Sequence, residues 1–171
     1  VRGGDRAGRS AGRLDSNRSW RIETELGLAE QRKAVKRPRK NRGAWDVYHL
    51  GVAEFYKFTQ ESNFKCQELL REAIELDPEF ASAHSRLAYA ILLSMVYFDI
   101  APVEGLMDEA LAEAKRAIEL DDQDANCYFI IGRVHLARRE YDLAIEALRY
   151  ALELNPCLAV AYCGLGDSLA Y

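Results

Sequence analysis

Apolar residues recur at intervals of three and four from Ala44 onward, which is the spacing of one face of an α-helix. The pattern is clearest over residues 125–156, where the polar turn Arg138–Glu140 separates two such runs. Asn155-Pro156 ends the second run, because proline cannot continue a helix. The positions that carry the spacing are Tyr128, Ile131, Gly132, His135, Ala144, Leu148 and Ala151. This stretch predicts a two-helix hairpin with small residues where the helices cross, and a turn in which Glu140 contributes little to stability.

The same arrangement recurs along the chain, and the starts at Ala125 and Ala159 are 34 residues apart. Each copy carries a small residue at the crossing position of its first helix. The predicted repeats are residues 44–80, 81–124, 125–158 and a single further helix in 159–171. Together they predict one helical array over residues 44–171.

The first repeat is longer than the third between its two helix crossings. From Gly51 to Cys66 there are 15 positions, against 12 in the third repeat. The apolar pattern of the first helix continues through Phe58. We therefore predict that the extra residues enlarge the turn, at positions 59–63.

The second repeat carries a larger insertion. From Ala88 to Ala110 there are 22 positions, ten more than in the third repeat. The apolar run favours a first helix that extends through Tyr97. A loop around residues 99–105 follows, because Pro102 breaks the helix.

The pattern of residues 125–156 resembles the tetratricopeptide repeat (TPR), with His135 where an aromatic residue is usual. The resemblance implies an all-α, right-handed solenoid of three helix hairpins plus one further helix. Repeats of this kind recognise other protein chains and carry no chemistry of their own. Because the last helix is apolar on its outer side, we expect the natural polypeptide to continue beyond Tyr171.

In the TPR family the first helix of each hairpin lines a concave groove, in which we expect a protein or peptide segment, or other domains of the parent protein, to bind. By register these positions are Tyr48, Val52, Phe55, Tyr56, Ser85, Tyr89, Leu92, Phe129, Arg133 and Leu136. Some family members bind the C-terminal carboxylate of a chaperone through Lys and Asn in this groove. This chain has Tyr48 and Tyr89 at such positions, so we do not expect it to bind a chaperone tail. The alternative that the aromatic residues pack between helices stays open.

The charge of the chain is divided between its two ends. Residues 1–43 carry 13 Lys and Arg against 5 Asp and Glu, a net charge of +8, whereas residues 44–171 carry 10 against 22, a net charge of −12. Residues 1–21 predict a disordered basic leader, and residues 22–43 a helix and a basic linker. Nucleic acid is disfavoured as the partner of this leader, because its arginines form no helical face and have few aromatic neighbours.

No pattern in the chain predicts catalysis, a cofactor or a metal site. Cys66, Cys127, Cys157 and Cys163 form no CxxC pair, and the three histidines fall on separate repeats. No stretch is long and apolar enough to span a bilayer, so we expect no membrane partner. With no secretory signal pattern, we expect a cytoplasmic protein. Because no catalytic pattern is present, we also expect that the chain is not an enzyme.

A narrower resemblance covers the chain from Glu25 onward. Ala29-Glu30, Pro38, Ala44-Trp45-Asp46, Tyr48 and Gly51 are similar to the lead-in of the C-terminal TPR region of bacterial class III adenylate cyclases and related winged-helix regulators. This implies an interaction scaffold in a bacterial signalling or transcription-regulating polypeptide. An enzyme fragment, whose cyclase domain lies outside this chain, is the alternative, and a nucleic-acid-associated protein that uses the basic leader is another.

Overall fold

The structure is a computed structural model that describes residues 43–98 and 105–170. All regular secondary structure in these two ranges is helical. The helices are α1 Ala44–Phe55, α2 Gln60–Leu76, α3 Ala81–Tyr97, α4 Leu106–Leu120, α5 Ala125–Ala137, α6 Tyr141–Leu154 and α7 Ala159–Leu169. The predicted leader at 1–21, the helix and linker before Gly43, and the loop at 99–104 lie outside the described residues.

Consecutive helices pack as hairpins, α1 with α2, α3 with α4 and α5 with α6, and α7 packs on α6. The first helices of the hairpins also lie side by side, because α3 contacts both α1 and α5, and α5 contacts α7. The predicted all-α fold of three hairpins plus one further helix is confirmed. The limits of the individual repeats stay predictions.

Small residues lie where the helices of a hairpin cross, as the sequence predicts. A Cβ atom added to Gly51 would lie 3.2 Å from Cγ of Leu70, and one added to Gly132 would lie 2.7 Å from Cγ of Leu148. Any side chain at Gly132 would therefore displace a leucine with no exposed surface. The crossing glycines are required by the close approach of the helices.

The first hairpin corrects two of the predictions. Helix α1 ends at Phe55 and does not reach Phe58, whose φ of 52° lies in the left-handed region. Helix α2 begins at Gln60, because the Thr59 side chain accepts a hydrogen bond from Ser62 N and Ser62 Oγ accepts one from Thr59 N, both at 3.1 Å. The three extra residues thus lengthen the start of α2 rather than the turn.

In the second hairpin, α3 extends through Tyr97, as predicted. Helix α4 starts after Gly105, which has a φ of +99° and lies in the left-handed region that glycine adopts readily. The buried surface of α3 faces α2, where the Asn63 side chain donates a hydrogen bond of 3.0 Å to the carbonyl oxygen of Ala90. This buried polar contact fixes the position of the first hairpin on the second.

The turn at Arg138–Glu140 is more than a solvated link, because its side chains form hydrogen bonds and ion pairs, which predict a modest contribution of Glu140 to stability where the spacing alone predicts little. Glu140 Oε2 lies 2.6 Å from His135 Nδ1, and Arg138 Nε donates to Glu140 Oε1 at 3.0 Å. Arg138 Nη1 also pairs with Asp108 at 2.7 Å, which ties this turn to the start of α4. The hydrogen bonds from His135 and Arg138 hold the pKa of Glu140 below its usual range.

We expect Glu140→Ala to lower the free energy of unfolding at neutral pH by about 0.5–1 kcal/mol, a value discounted for partial exposure. Because the folded-state pKa is lowered, this contribution is present above the unfolded pKa and is lost as the pH falls through the folded value. Chemical denaturation of both proteins between about pH 7 and pH 3 measures it. A difference that persists unchanged at the acid end would contradict an ionic role.

Candidate functional site

The first helices of successive hairpins lie side by side, and on the face that they share, which we call the inner face, aromatic rings meet across hairpin boundaries. The ring centroids of Phe55 and Tyr89 lie 5.7 Å apart, and those of Tyr89 and Phe129 also lie 5.7 Å apart. These distances lie in the range of favourable aromatic pairs. We call Phe55, Tyr89 and Phe129 the aromatic ladder; it joins α1, α3 and α5 through one ring from each.

Two arginines flank this ladder. Cζ of Arg86 lies 5.0 Å from the centroid of the Phe55 ring, which is within cation–π distance. Arg133 Nη1 forms an ion pair of 2.7 Å with Asp167 on α7. Within residues 43–98 and 105–170, Arg86 has no carboxylate as an ion-pair partner. Arg86 is therefore a half-buried cation whose charge is available to a ligand.

The electrostatics at Tyr89 place both guanidinium groups near the ladder. Burial raises the pKa of the Tyr89 phenol, while the charges of Arg133 and Arg86 oppose this rise. Tyr89 is half-buried, so one part of its ring packs between hairpins and another part stays accessible. The middle of the ladder thus combines a half-buried tyrosine with two nearby guanidinium groups.

The structure separates the ten predicted groove residues by exposure. Tyr56 is exposed; Tyr48, Phe55, Tyr89, Arg133 and Leu136 are half-buried; and Val52, Ser85, Leu92 and Phe129 are buried. Leu92 and Phe129 belong to the clusters of apolar side chains that join the hairpins. Among these ten residues, the half-buried and exposed ones are those with surface that a ligand could contact. Their role in binding stays a prediction.

Sequence reasoning missed Arg86, because the repeat register selected its neighbour Ser85. A signal was present, since Arg86 is the one Lys, Arg, Asp or Glu residue within α3. It also missed Trp45, which is exposed and stacks on Phe80 with centroids 5.8 Å apart and ring planes 18° apart. Tyr48 contacts the same Phe80 ring at 4.9 Å, so the apolar surface of the inner face extends to the start of α1.

Other side chains that could take part in chemistry, His84, Cys66 and Cys127, are buried among neighbours that suit a structural role. His84 Nε2 donates to the carbonyl oxygen of Pro78 at 3.0 Å while Nδ1 contacts the Glu113 carboxylate. Burial raises the pKa of Cys66 and of Cys127 to about 12, which keeps both thiols protonated at neutral pH. In the part of the chain that the structure describes, no group of three or more His, Cys, Asp or Glu side chains could hold a metal ion.

Among the helices between Gly43 and Phe98 and between Gly105 and Ala170, none combines the length and the hydropathy needed to cross a membrane. The longest are α2 and α3, with 17 residues each.

Comparison with known sequences gives one distant relative. The chain matches no model of a protein family. It is 24% identical over 106 residues to a cell division cycle protein 27 homolog of Caenorhabditis elegans, a match that covers 62% of this chain and 12% of that protein. The chain therefore spans only a small part of the length of the curated relative that it matches.

Comparison with solved structures gives TPR domains. The chain is similar to the Sgt2 TPR domain from Aspergillus fumigatus, with a TM-score of 0.62, 18% identity and coverage of 78% of this chain and 83% of that one. It is similar to the Arabidopsis OM64 TPR domain, with a TM-score of 0.60, 18% identity and coverage of 75% and 95%. It is also similar to the first TPR of Spaghetti (RPAP3), bound to the HSP90 peptide SRMEEVD, with a TM-score of 0.59, 17% identity and coverage of 74% and 90%.

These similarities show a TPR-like fold. TPR domains are protein-interaction scaffolds, and the RPAP3 domain binds a peptide. The resemblance of the region from Glu25 onward to the adenylate cyclase proteins stays a prediction.

Proposed function

We propose that this chain is a protein-interaction module whose inner face binds an extended segment of a partner protein. The accessible part of that face consists of Arg86 and of the predicted groove residues that are not buried, which are Tyr48, Phe55, Tyr56, Tyr89, Arg133 and Leu136. The observation that carries the proposal is the position of Arg86, which is a half-buried cation over the Phe55 ring without a carboxylate partner among the described residues.

The chemistry of this face favours a segment that combines an acidic group with an apolar side chain. A guanidinium group forms bidentate hydrogen bonds with a carboxylate, and these are stronger than hydrogen bonds between neutral groups. The rings of Phe55 and Tyr89 beside Arg86 offer an apolar surface to a neighbouring aliphatic or aromatic side chain. Since residues 44–171 carry a net charge of −12, the long-range field repels an anionic segment, and binding depends on this local contact.

The similarity to the RPAP3 domain supports binding of a peptide, but it does not specify the peptide sequence. The HSP90 peptide SRMEEVD in that structure is acidic. In this chain Tyr48, Val52, Ser85 and Tyr89 occupy positions where some TPR domains carry Lys and Asn. We therefore propose a ligand that is anchored by Arg86 and the rings of Phe55 and Tyr89, rather than a chaperone tail.

Selection from a random peptide library, followed by affinity measurement on the 171-residue chain, tests the proposal. We expect the selected peptides to be enriched in Asp, Glu or a free C-terminal carboxylate next to an apolar residue. We expect Arg86→Gln to weaken their binding about 10- to 100-fold, because a charge-assisted hydrogen bond is lost. The matched control is Arg116→Gln on α4, since Arg116 is an exposed arginine whose ion pair with Glu119 is 3.1 Å long.

Both variants must melt within a few degrees of the parent protein, so that binding is compared between folded chains. Equal affinity of the parent protein, Arg86→Gln and Arg116→Gln would show that Arg86 takes no part in binding. Peptides without any acidic preference would contradict the proposed ligand chemistry.

A second proposal concerns the polypeptide to which the module belongs. We propose that it is the regulatory part of a cytoplasmic bacterial signalling protein, such as an adenylate cyclase or a transcriptional regulator. Sequence resemblance from Glu25 onward supports this. Part of the Ala44-Trp45-Asp46 motif has a structural reason, because Asp46 Oδ2 accepts a hydrogen bond from Gly43 N at 3.3 Å and closes the start of α1.

If this second proposal is correct, the 171-residue chain regulates chemistry that another domain performs. We therefore predict that the purified chain forms no cyclic nucleotide from ATP. Liquid chromatography of the reaction mixture, with a known adenylate cyclase as the positive control, checks this. Cyclic AMP formed by the chain itself would contradict the assignment of a purely regulatory role.

A further inference from the structure

A groove lies between the second helices of the second and third hairpins. Helix α4 contacts α3 and α5, and α6 contacts α5 and α7, but within residues 43–98 and 105–170 α4 and α6 do not contact each other. The space beside them has a volume of about 770 Å³ and is lined by residues of α4, α5 and α6. We call it the α4–α6 groove. Its lining includes neither Arg86 nor any of the ten residues predicted for the inner face, so it is independent of the proposed function.

Part of the lining of this groove is apolar. Ile118 of α4 and Ile131 of α5 contribute to it, and Ile131 is only 8% exposed. The ring of Tyr128 meets the ring of Tyr150 edge to face, with centroids 4.5 Å apart. An aromatic or aliphatic group in the groove would therefore contact both aliphatic side chains and rings.

The groove also contains a buried polar side chain with an open hydrogen-bonding position. His135 is 9% exposed, and its Nδ1 lies 2.6 Å from Oε2 of Glu140, whose pKa is held low. Because an ionised carboxylate only accepts hydrogen bonds, Nδ1 carries a proton and donates it. In the neutral imidazole Nε2 is then an acceptor. Among the described residues Nε2 has no hydrogen-bond partner.

Polar atoms of buried side chains normally have a hydrogen-bond partner. The Nε2 atom of His135 therefore points to a ligand that donates a hydrogen bond. A ligand that only accepts hydrogen bonds would leave this atom unsatisfied.

The charges along the groove favour a cation. Asp142, Glu146, Arg149 and Glu153 line it and follow one another at intervals of four, three and four, which places them along one side of α6. Within the two described ranges none of the four forms an ion pair. Three carboxylates against one guanidinium give this side of the groove a net charge of −2. A cleft with an excess of one sign attracts ligands of the opposite sign.

The preceding pair of second helices shows how this chain supplies such a cation itself. Helices α2 and α4 also lack a direct backbone approach among the described residues. There Nη2 of Arg71 crosses from α2 and pairs with Oε1 of Glu109 on α4 at 2.7 Å. Between α4 and α6 the described residues form no such pair, and the one nearby, between Arg138 and Asp108, starts from the turn before α6. The cation that Arg71 provides in one groove is missing from the next.

We propose that the α4–α6 groove binds a small organic amine, in which a protonated nitrogen is attached to an aromatic or aliphatic group. The nitrogen donates a hydrogen bond to Nε2 of His135 and is attracted by the carboxylates of Glu146 and Glu153. The apolar group lies against Ile118 and Ile131. A small molecule is specified because pockets for such ligands have volumes of about 300–1,000 Å³, a range that includes this groove.

Tryptamine and indole-3-propionate test the proposal, because they share the ring and the linker and carry opposite charges. Isothermal titration calorimetry measures their binding to the 171-residue chain. We expect saturable binding of tryptamine with a dissociation constant of about 1 mM or below, as its size allows. We expect indole-3-propionate to bind about tenfold more weakly or worse, since the carboxylates repel it and it gives Nε2 of His135 no cationic donor.

Two double variants separate a local contact from the overall charge. Glu146→Gln with Glu153→Gln removes two carboxylates from the groove and is expected to weaken tryptamine about threefold or more. The matched control is Glu61→Gln with Glu68→Gln on α2, which makes the same change of net charge away from the groove. All four glutamates are exposed, so both variants should melt within a few degrees of the parent protein.

The imidazole of His135 is best followed without a substitution, because it is buried and bonded to Glu140. In ¹⁵N spectra of the imidazole ring, we expect the Nε2 signal to shift and to saturate at one equivalent of tryptamine. The Nδ1 signal should keep the signature of a protonated nitrogen. Arg86→Gln should leave the affinity for tryptamine unchanged, so a failure here and a failure at the inner face are distinguishable.

Four results would overturn the proposal. They are the absence of saturable tryptamine binding, equal affinity for the two indole compounds, equal weakening by the two double variants, and an Nε2 signal of His135 that does not respond.

A further titration tests whether the ligand is a small molecule. Its probe is a synthetic peptide of residues 14–24, in which Trp20 stands between Arg18 and Arg21 and so combines an aromatic group with cations. We expect it to bind no more tightly than tryptamine. Tenfold tighter binding, weakened by Glu146→Gln with Glu153→Gln, would identify a basic segment as the occupant and overturn the assignment of a small amine.

Discussion

Leu148→Ala is expected to lower the free energy of unfolding by about 3–5 kcal/mol, at the upper end of the range for buried leucines. Leu148 has no exposed surface, and it fills the space beside Gly132 on α5 and beside Gly164 on α7. Because the glycines have no side chains that could move into the cavity, the cavity cannot collapse easily. Denaturation in urea, followed by circular dichroism, measures the change.

Leu143→Ala is the matched control, because Leu143 lies on the same helix and is largely exposed. We expect this variant to remain within about 1 kcal/mol of the parent protein. Similar losses for the two variants would mean that α6 does not join α5 to α7 through Leu148.

Phe129→Ala is expected to lower the free energy of unfolding by about 3–5 kcal/mol. Phe129 is only 6% exposed and contacts the apolar cluster between the second and third hairpins. It also forms the edge contact with Tyr89. The large loss follows because one substitution removes a buried ring and a pair that bridges two hairpins. The urea midpoint and its slope measure the loss.

Tyr56→Ala is the comparison, since Tyr56 was predicted for the same groove but is 70% exposed. It should change stability by less than about 0.5 kcal/mol. If Phe129→Ala keeps the stability of the parent protein and loses only peptide binding, Phe129 has no structural role and instead contacts the ligand.

The fold could be predicted from the sequence because the crossing of two helices restricts residue size. Gly51, Gly132 and Ala144 are small at positions where a larger side chain has no space, and a small residue recurs at this position in each hairpin. The end of α3 at Tyr97 followed from a continuous apolar run. Spacing alone could not locate the extra residues of the first hairpin, because the reciprocal hydrogen bonds of Thr59 and Ser62 determine where α2 begins.

The candidate site could be predicted only in part. Register identifies the helix face to which a residue belongs, but the inner faces of α1, α3 and α5 also pack against one another. Leu92 and Phe129 are therefore buried while Tyr89, on the same face, is half-buried. The position of Arg86 over Phe55 joins two hairpins, as does the pairing of Arg138 with Asp108. Contacts of this kind depend on the angle between neighbouring hairpins, which a repeat pattern does not specify.

The proposed binding surface consists of Arg86 with the half-buried rings of Phe55 and Tyr89. The most direct test is a nuclear magnetic resonance titration of the ¹⁵N-labelled chain with a peptide from the acidic selection, following the side-chain Nε–H signal of Arg86. We predict that this signal and the amide signals around Tyr89 on α3 shift together and saturate at one equivalent of peptide. Saturable shifts confined to the outer helices α2, α4 and α6, with the Arg86 signal unchanged, would contradict binding at Arg86.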